Sequence, residues 1–221
     1  RFGRIRLDHR TGHSIRRRLN TALKKTRFSI ALRLLLVILG FSIAACGLVL
    51  MLKSALGMGP WGALEVGLSG ATGLSVGHIT QIISMILIFV AWGLGFKPSV
   101  ITLLNMFFIG WFMDLFMKII PAGSTVYLNI LLYAAGVIVY SFGISFYLSV
   151  FSKKAGPRES VMLGLSRKLK ISVRFSRILI DGFALLLAFL FKGPIGVGTI
   201  IFAFTAGPLI QQFMRLKKQA T

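Results

Sequence analysis

Long apolar stretches recur along the chain, and most charged residues lie in the short segments between them. A helix needs about 20 predominantly apolar residues to span a bilayer. The pattern therefore predicts an all-α membrane protein with about six transmembrane helices. The predicted spans cover residues 34–52, 75–95, 98–120, 126–150, 172–192 and a last stretch that ends at Met214.

Two further segments carry a Gly-Pro pair and are too polar to span. Gly59-Pro60 follows the first predicted span, and Gly156-Pro157 follows the fourth. Proline is favoured in the first turn of a helix, because an N–H at that position has no partner within the helix. We therefore predict a short helix after each pair. The first would end near Ser69 and rise about 15 Å, half the thickness of a bilayer.

The two halves of the sequence resemble each other. When residues 57–117 are aligned with residues 154–214, an offset of 97 positions, 15 of the 61 positions are identical. The matches include turn and polar residues, which shared apolar composition does not explain. The repeat halves, 34–121 and 125–214, hold three spans each, so the second half enters the membrane from the opposite side. Inverted repeats with short or broken helices are typical of secondary transporters.

The distribution of Lys and Arg predicts the orientation. The first Gly-Pro connection has no basic residue between Lys53 and Lys97, whereas the second, residues 153–177, has eight. Cytoplasmic loops carry the excess of Lys and Arg, so the second connection is expected in the cytoplasm. The same rule places a basic N-terminal arm, residues 1–33, and a basic tail, residues 215–221, on that side.

The composition fits a membrane domain, with 56% hydrophobic residues and a mean hydropathy of +0.83. The net charge of +21 suggests nucleic acid as a partner, but the charge lies at the ends of spans and no nucleic-acid-binding motif accompanies it. We expect the lipid bilayer as the partner instead. The basic arm has two interpretations, which stay open: a helix that binds anionic lipid headgroups, or a disordered tail.

Asp181 lies near the middle of the fifth predicted span, and Arg177 lies one turn before it. A carboxylate at that depth costs about 2.5–3.5 kcal/mol on insertion scales, so it is expected to face a partner or a water-filled cavity. The i,i+4 spacing allows the two side chains to pair. They form either a substrate or proton site where the halves meet, or a structural ion pair.

Further candidates for binding a substrate are polar or charged residues near the short helices or within the spans. Arg158 and Glu159 begin the second short helix, where the N-terminus and the arginine can hold an anion; alternatively, Arg158 serves only to orient the chain. Uncharged hydrogen-bonding groups within the spans, which in membranes more often join helices than bind substrate, are Asn105, Thr102 and Thr199. Asp114, near the outer end of the third span, and its repeat counterpart Gln211 either line the mouths of a cavity or are solvated at the membrane interface, and the sequence favours solvation.

Other residues are expected to serve the fold. Glu65 and Trp61, on the first short helix, are expected at the membrane interface. Small residues are expected to let helices approach closely; they are Gly40, Ala44, Gly110, Ala203 and Gly207.

The sequence does not favour an enzyme. His9 and His13 lie in the basic arm, and His78 stands alone at the start of a span. With one cysteine, Cys46, and no paired histidines in the spans, no metal cluster is expected. No Ser/His/acid pattern and no phosphate-binding glycine loop is evident, so neither a catalytic residue nor a cofactor is predicted.

Three strings of the chain resemble the bacterial YczE/YitT-type integral membrane proteins, and the YczE group most: GMGPWGALEVGLSGATGLSVG, KAGPRESVMLGLSRKLKISVRFSRILID and GPIGVGTIIFAFTAGPLIQQF. The resemblance covers about residues 30–214 and implies a transporter-like or accessory protein of the bacterial plasma membrane. The family's acid after Gly-Pro-Arg maps to Glu159, and its Arg-acid pair maps to Arg177 and Asp181. Where the family often has Asp after Gly-Pro-Trp, this chain has Gly62.

Two functions follow from these features. The first is a small secondary-transporter-like carrier of a small molecule or ion, with its site at the repeat interface. The second is an accessory, scaffold or substrate-binding membrane subunit that acts with a partner protein or as a homo-oligomer. The inverted repeat favours the carrier.

Overall fold

The computed structural model describes residues 9–150 and 156–219, with side chains described for 29–150 and 156–216. The described residues form eight α-helices and no strand, which confirms the all-helical fold. The helices are α1 (His9–Lys53), α2 (Pro60–Thr72), α3 (Val76–Gly93), α4 (Val100–Ile119), α5 (Val126–Val150), α6 (Pro157–Leu169), α7 (Val173–Leu190) and α8 (Val197–Gln219).

Five of these helices are long and apolar enough to cross a membrane, so the chain is a multi-pass membrane protein. They are the Ser29–Lys53 part of α1, all of α3, α4 and α5, and the Val197–Leu216 part of α8. Helix α7 has the same length as α3, 18 residues, but carries Arg174, Arg177 and Asp181. Residues from Val37 onward form one compact unit. The side chains of the predicted lipid-binding arm lie largely outside the described residues.

The two Gly-Pro pairs begin helices as predicted, and both helices have 13 residues. Each ends in a left-handed residue, Gly73 for α2 and Lys170 for α6. The closing turns also match: the Ser69 hydroxyl donates to the Leu74 carbonyl at 2.6 Å, and the Ser166 hydroxyl donates to the Ile171 carbonyl at 2.7 Å. Equivalent residues therefore build equivalent local structure in the two halves.

The short helices lie between α3 and α7. Helix α2 packs against α7 and α3, and α6 packs against α3 and α7. Side chains in these contacts are small, and Ala63 of α2 and Ala184 and Ala188 of α7 are fully buried. Each short helix thus contacts a long helix of the opposite half of the chain.

Helices α1 and α5 contact each other through glycines. A Cβ added at Gly136 would lie 2.9 Å from the Gly47 carbonyl oxygen, and one at Gly143 would lie 2.9 Å from the Gly40 carbonyl oxygen. One turn along α1, the Ala44 backbone also lies against Gly143. Such small residues allow the backbones of membrane helices to approach closely, as predicted for Gly40 and Ala44.

The connection before α2 is bonded to the connection before α8. The Met58 N–H donates to the Pro194 carbonyl at 3.2 Å, and the Gly198 N–H donates to the Leu56 carbonyl at 2.8 Å. Gly57 has a φ of 107° and lies against Gly196, where a side chain would be strained and would clash. The Tyr133 hydroxyl of α5 also donates to the Gly198 carbonyl. These bonds hold α2 and the start of α8 together.

Candidate functional site

A cavity of about 230 Å³ lies among the helices of both halves. Its walls come from α2, α5, α6, α7 and α8, with Leu48 of α1. Most of the wall is apolar or aromatic, as is usual for ligand sites. Four charged side chains line it: Arg158, Glu159, Arg177 and Asp181. The structure therefore brings four of the nine candidate residues together in one place.

Asp181 accepts hydrogen bonds from two directions. The Trp61 indole Nε1–H of α2 donates to Oδ1 at 2.9 Å, and the Arg177 Nε–H donates to Oδ2 at 3.4 Å. The Asp181 side chain is 31% exposed and that of Arg177 is 53% exposed. The predicted pairing of Arg177 with Asp181 is confirmed, although its geometry is long, and Asp181 faces both a partner and a cavity.

Arg158 links the second short helix to the first. Its guanidinium pairs with the Glu65 carboxylate of α2, which is fully buried, and lies 5.3 Å from the centre of the Trp61 ring. A cation over an indole face is attracted by the ring quadrupole. Breaking a buried ion pair costs far more than the pair itself contributes, because the remaining charge is left without a partner. The pair therefore fixes α2 against α6.

These contacts form a continuous polar chain, which we call the central network: Glu65, Arg158, Trp61, Asp181 and Arg177. It runs from α2 to α6, back to α2, and on to α7. The expectation that Glu65 lies at the membrane interface is wrong, because its side chain is 0% exposed. Trp61 likewise bonds to Asp181 instead of anchoring the helix at the interface. The signal that could have identified the pair is a single acid on an otherwise uncharged short helix.

A second cavity of about 50 Å³ lies beside the first and shares Arg158 and Glu159 with it. Its other polar walls are Thr80, Ser84 and Asn105, so one more candidate, Asn105, lies within reach of the network. Thr80 and Ser84 stand 97 positions before Arg177 and Asp181. The second cavity is thus lined by uncharged groups where the first has its ion pair.

Thr102 and Thr199 support the starts of α4 and α8 and line neither cavity. Thr102 forms a capping box with Ser99, in which each side chain bonds to the backbone N–H of the other residue. The Thr199 hydroxyl accepts from the Gly196 N–H at 3.2 Å. Such bonds satisfy N–H groups that a helix start leaves without a partner.

Asp114, on α4, places its side chain beside the start of α3, away from both cavities, and Gln211 is exposed on α8. The Asp114 carboxylate accepts from the Gly77 N–H at 2.8 Å and from the Ser75 hydroxyl at 2.6 Å. His78 Nδ1 lies 3.6 Å from the same carboxylate. The sequence did not predict this Ser/His/acid group. The acid bonds to the serine here, whereas in hydrolases it orients the histidine.

Within the described residues, no three His, Cys, Asp or Glu side chains lie close enough to hold a metal ion.

Known proteins resemble this chain over most of its length. A family described as a family of unknown function, DUF6198, matches residues 31–215. The chain is 34% identical over 182 residues to the uncharacterized protein YyaS of Bacillus subtilis. The aligned residues cover 80% of this chain and 89% of that protein. The chain is 34% identical over 174 residues to the uncharacterized membrane protein YczE of the same organism, covering 78% and 80% of the two chains.

An uncharacterized protein of Haemophilus influenzae is 29% identical over 181 residues, covering 82% of this chain and 83% of that protein. No solved structure matches the chain. The resemblance to the YczE group, predicted from the Gly-Pro connections and the last span, is therefore confirmed.

Proposed function

We propose that this chain, which belongs to the DUF6198 family of unknown function, is a small carrier of the secondary-transporter type. Its substrate site is the 230 Å³ cavity. The observation that carries the proposal is the position of Asp181, a carboxylate in the middle of a helix, which faces this cavity and is held by a donor from the other half of the chain. Intramembrane ionisable groups facing a cavity mark substrate and ion pathways.

The proposal includes two inverted three-helix repeats and six spans, with α7 as the sixth. Three features support the repeats: the equal short helices, their matching closing turns, and the reciprocal packing of α2 on α7 and of α6 on α3. Helix α7 is less hydrophobic than the other spans because it carries Arg174, Arg177 and Asp181. Both termini are assigned to the cytoplasm by the excess of Lys and Arg, and bacterial relatives support the plasma membrane.

Carriers expose one site alternately to the two sides of the membrane by moving one repeat against the other. Here the Trp61–Asp181 hydrogen bond and the Arg158–Trp61 contact join the halves at the cavity. Such a movement would have to break or exchange these contacts. A substrate that bonds to Asp181 or Arg177 would compensate for their loss, which couples binding to the movement.

Access to the cavity from both sides tests the carrier without knowledge of its substrate. Cys46 is replaced by Ala, and Met162, in the cavity wall, by Cys. A membrane-impermeant thiol reagent is then applied to either side of vesicles that hold the full chain in one orientation. We expect labelling from both sides. As a matched control, Phe183→Cys, on the exposed face of α7, should react from neither side. Labelling of Met162→Cys from one side only would exclude a carrier.

The accessory function remains as a second proposal, because a basic cluster is exposed where α6 meets α7. Lys168, Lys170 and Arg174 are all exposed there, and they suit an acidic surface on a partner protein. Changing the three to Gln should abolish co-purification of that partner while leaving the cavity accessible. A lipid-binding role of the arm predicts weaker vesicle binding after residues 1–28 are deleted.

A further inference from the structure

Helices α3 and α4 pack closely, but their counterparts α7 and α8 do not. Gly110 of α4 lies against Gly77 of α3, where an added Cβ would clash with the Gly77 carbonyl oxygen. Helix α7 makes no comparable packing with α8. At Gly207, which corresponds to Gly110, an added Cβ would meet only the Arg177 Nη1 atom, at 3.9 Å. A gap between α7 and α8 thus replaces a close helix contact.

The gap leads into the cavity. Arg177 and Asp181 of α7 and Phe202, Ala206 and Ile210 of α8 line it. The equivalent positions in the other half are in contact, since the Thr80 hydroxyl lies 3.6 Å from the sulfur of Met113, which is fully buried. In that half, the packed side chains leave only the second cavity, of about 50 Å³, where about 230 Å³ is open beside α7 and α8.

The residues beside the gap are apolar and exposed. Ile178 of α7 is 63% exposed, and Phe204 of α8 is 77% exposed. In a membrane-spanning chain such side chains face lipid. A ligand that reaches the cavity between α7 and α8 therefore passes from the hydrocarbon region, which favours a molecule with apolar tails.

The charges at the inner end of the gap balance. Two of the described lining side chains are cationic, Arg158 and Arg177, and two are anionic, Glu159 and Asp181. The Arg177 Nη atoms have no hydrogen-bond acceptor among the described residues, and Glu159 makes no hydrogen bond or ion pair there. A ligand that bonds to both must carry an anionic and a cationic group. A volume of about 230 Å³ is smaller than the usual pocket for a whole drug-sized molecule, so it suits a headgroup alone.

We infer that the cavity takes the headgroup of a zwitterionic phospholipid with an ammonium group, which enters sideways between α7 and α8. The phosphate bonds to the free N–H groups of Arg177, the ammonium group bonds to Glu159, and the acyl chains stay between the two helices and in the bilayer. The inference rests on the proposed function, since it takes this cavity as the substrate site of the carrier.

Binding is tested by photolabelling of the full chain in vesicles of phosphatidylethanolamine and phosphatidylglycerol. The probes are the same two lipids with a photoreactive acyl chain. We expect the phosphatidylethanolamine probe to label α7 and α8 about tenfold more than the anionic probe, and Glu159→Gln to remove most of this difference, because the ammonium group loses its charge-assisted hydrogen bond. Arg177→Gln should instead lower labelling by both probes, because both lipids carry the phosphate. Lys168→Gln, outside the cavity lining, should leave labelling unchanged. Equal labelling by both probes would overturn the headgroup assignment.

The sideways entry is tested at Gly207. Gly207→Phe should fill the gap and reduce labelling at least about tenfold, with Gly207→Leu as a smaller variant if the first does not fold. Gly182→Phe is the matched control, since a Cβ added at Gly182 has no atom within 4 Å and Gly182 lies outside the cavity lining. Labelling that persists in a folded Gly207 variant, or a soluble zwitterion such as phosphoethanolamine that binds while the lipid does not, contradicts the inference.

Movement of lipid is measured separately, so that the two proposals can fail independently. The same protein is placed in vesicles with phosphatidylethanolamine that carries a fluorophore on its acyl chain, and dithionite quenching reports its passage between leaflets. Labelling without passage would keep the ligand assignment and exclude the carrier. If Met162→Cys reacts from both sides but no lipid probe labels the protein, the carrier proposal is kept and the lipid assignment is excluded.

Discussion

Trp61 and Arg158 stand 97 positions apart in the sequence, and in the folded chain the Arg158 guanidinium lies 5.3 Å from the centre of the Trp61 ring. This separation equals the offset at which the two halves align. Each residue follows a Gly-Pro pair at the start of a short helix. Equivalent positions near a two-fold axis lie close together, so this contact fits the two-fold relation proposed for the halves, although the two residues differ in chemistry. Trp61 donates a hydrogen bond to Asp181, and Arg158 forms an ion pair with Glu65.

The Trp61–Asp181 hydrogen bond should stabilise the contact between the halves. Trp61→Phe removes the indole donor and keeps an aromatic ring under Arg158. We expect the free energy of unfolding to fall by about 1–2 kcal/mol, because a partly buried carboxylate loses one of its two donors. Thermal unfolding in detergent measures the change. Trp92→Phe, at an exposed site on α3, should change stability by less than about 0.5 kcal/mol. Similar losses in the two variants would count against a structural role of the bond.

The Glu65–Arg158 pair should behave as a buried ion pair in a double-mutant cycle. Arg158→Met alone should destabilise the protein by about 3–5 kcal/mol, because it leaves the fully buried Glu65 carboxylate without its partner. Glu65→Leu alone should cost less, because the Arg158 side chain is 25% exposed. The double variant should recover most of that loss, since it leaves no buried charge. Chemical unfolding of the four proteins measures the coupling. A double variant as unstable as the sum of the singles would show that the two side chains act independently.

The elements and the local contacts of this fold could be predicted from the sequence, whereas contacts between the halves could not. The apolar stretches, the Gly-Pro helix starts and the spacing of Arg177 and Asp181 are local patterns with direct structural meaning. Arg158 pairs with Glu65 from 93 residues away, and Asp181 binds Trp61 from 120 residues away. Such partners depend on how the helices pack.

The prediction of a close helix contact at Gly207 is wrong, because the two halves differ there. Gly110 and Gly207 align, so both were expected at close helix contacts, but only Gly110 meets another backbone. The reason lies in their neighbours. Gly110 faces Gly77, whereas the position that corresponds to Gly77 is Arg174, which is too large for the same approach. The cavity beside α7 and α8 is therefore the larger of the two, about 230 Å³ against about 50 Å³.

Close packing of α1 on α5 predicts a contrast between two glycines. Gly47→Ala should destabilise the protein by about 1–3 kcal/mol, because the added methyl group clashes with the Tyr140 backbone. The clash is relieved only if α1 and α5 move apart. Gly70→Ala, on α2, adds its methyl group to open space and should stabilise by about 0.5–1 kcal/mol through helix propensity. Thermal unfolding of both variants measures the contrast. A neutral Gly47→Ala would mean that the two helices are free to separate.

Substitutions at Asp114 and Gln211 test whether Asp114 stabilises the start of α3 or lines the mouth of the cavity. In the folded chain Asp114 accepts from Gly77 and Ser75 at the start of α3, so Asp114→Ala should cost about 1 kcal/mol of stability, as the loss of an N-cap does. Since Asp114 lines neither cavity, reaction of Met162→Cys with the impermeant reagent should not change. Gln211→Ala, at the exposed counterpart, should alter neither quantity. If Asp114→Ala instead blocked the reagent from one side of the vesicle, the residue would belong to the mouth of the cavity.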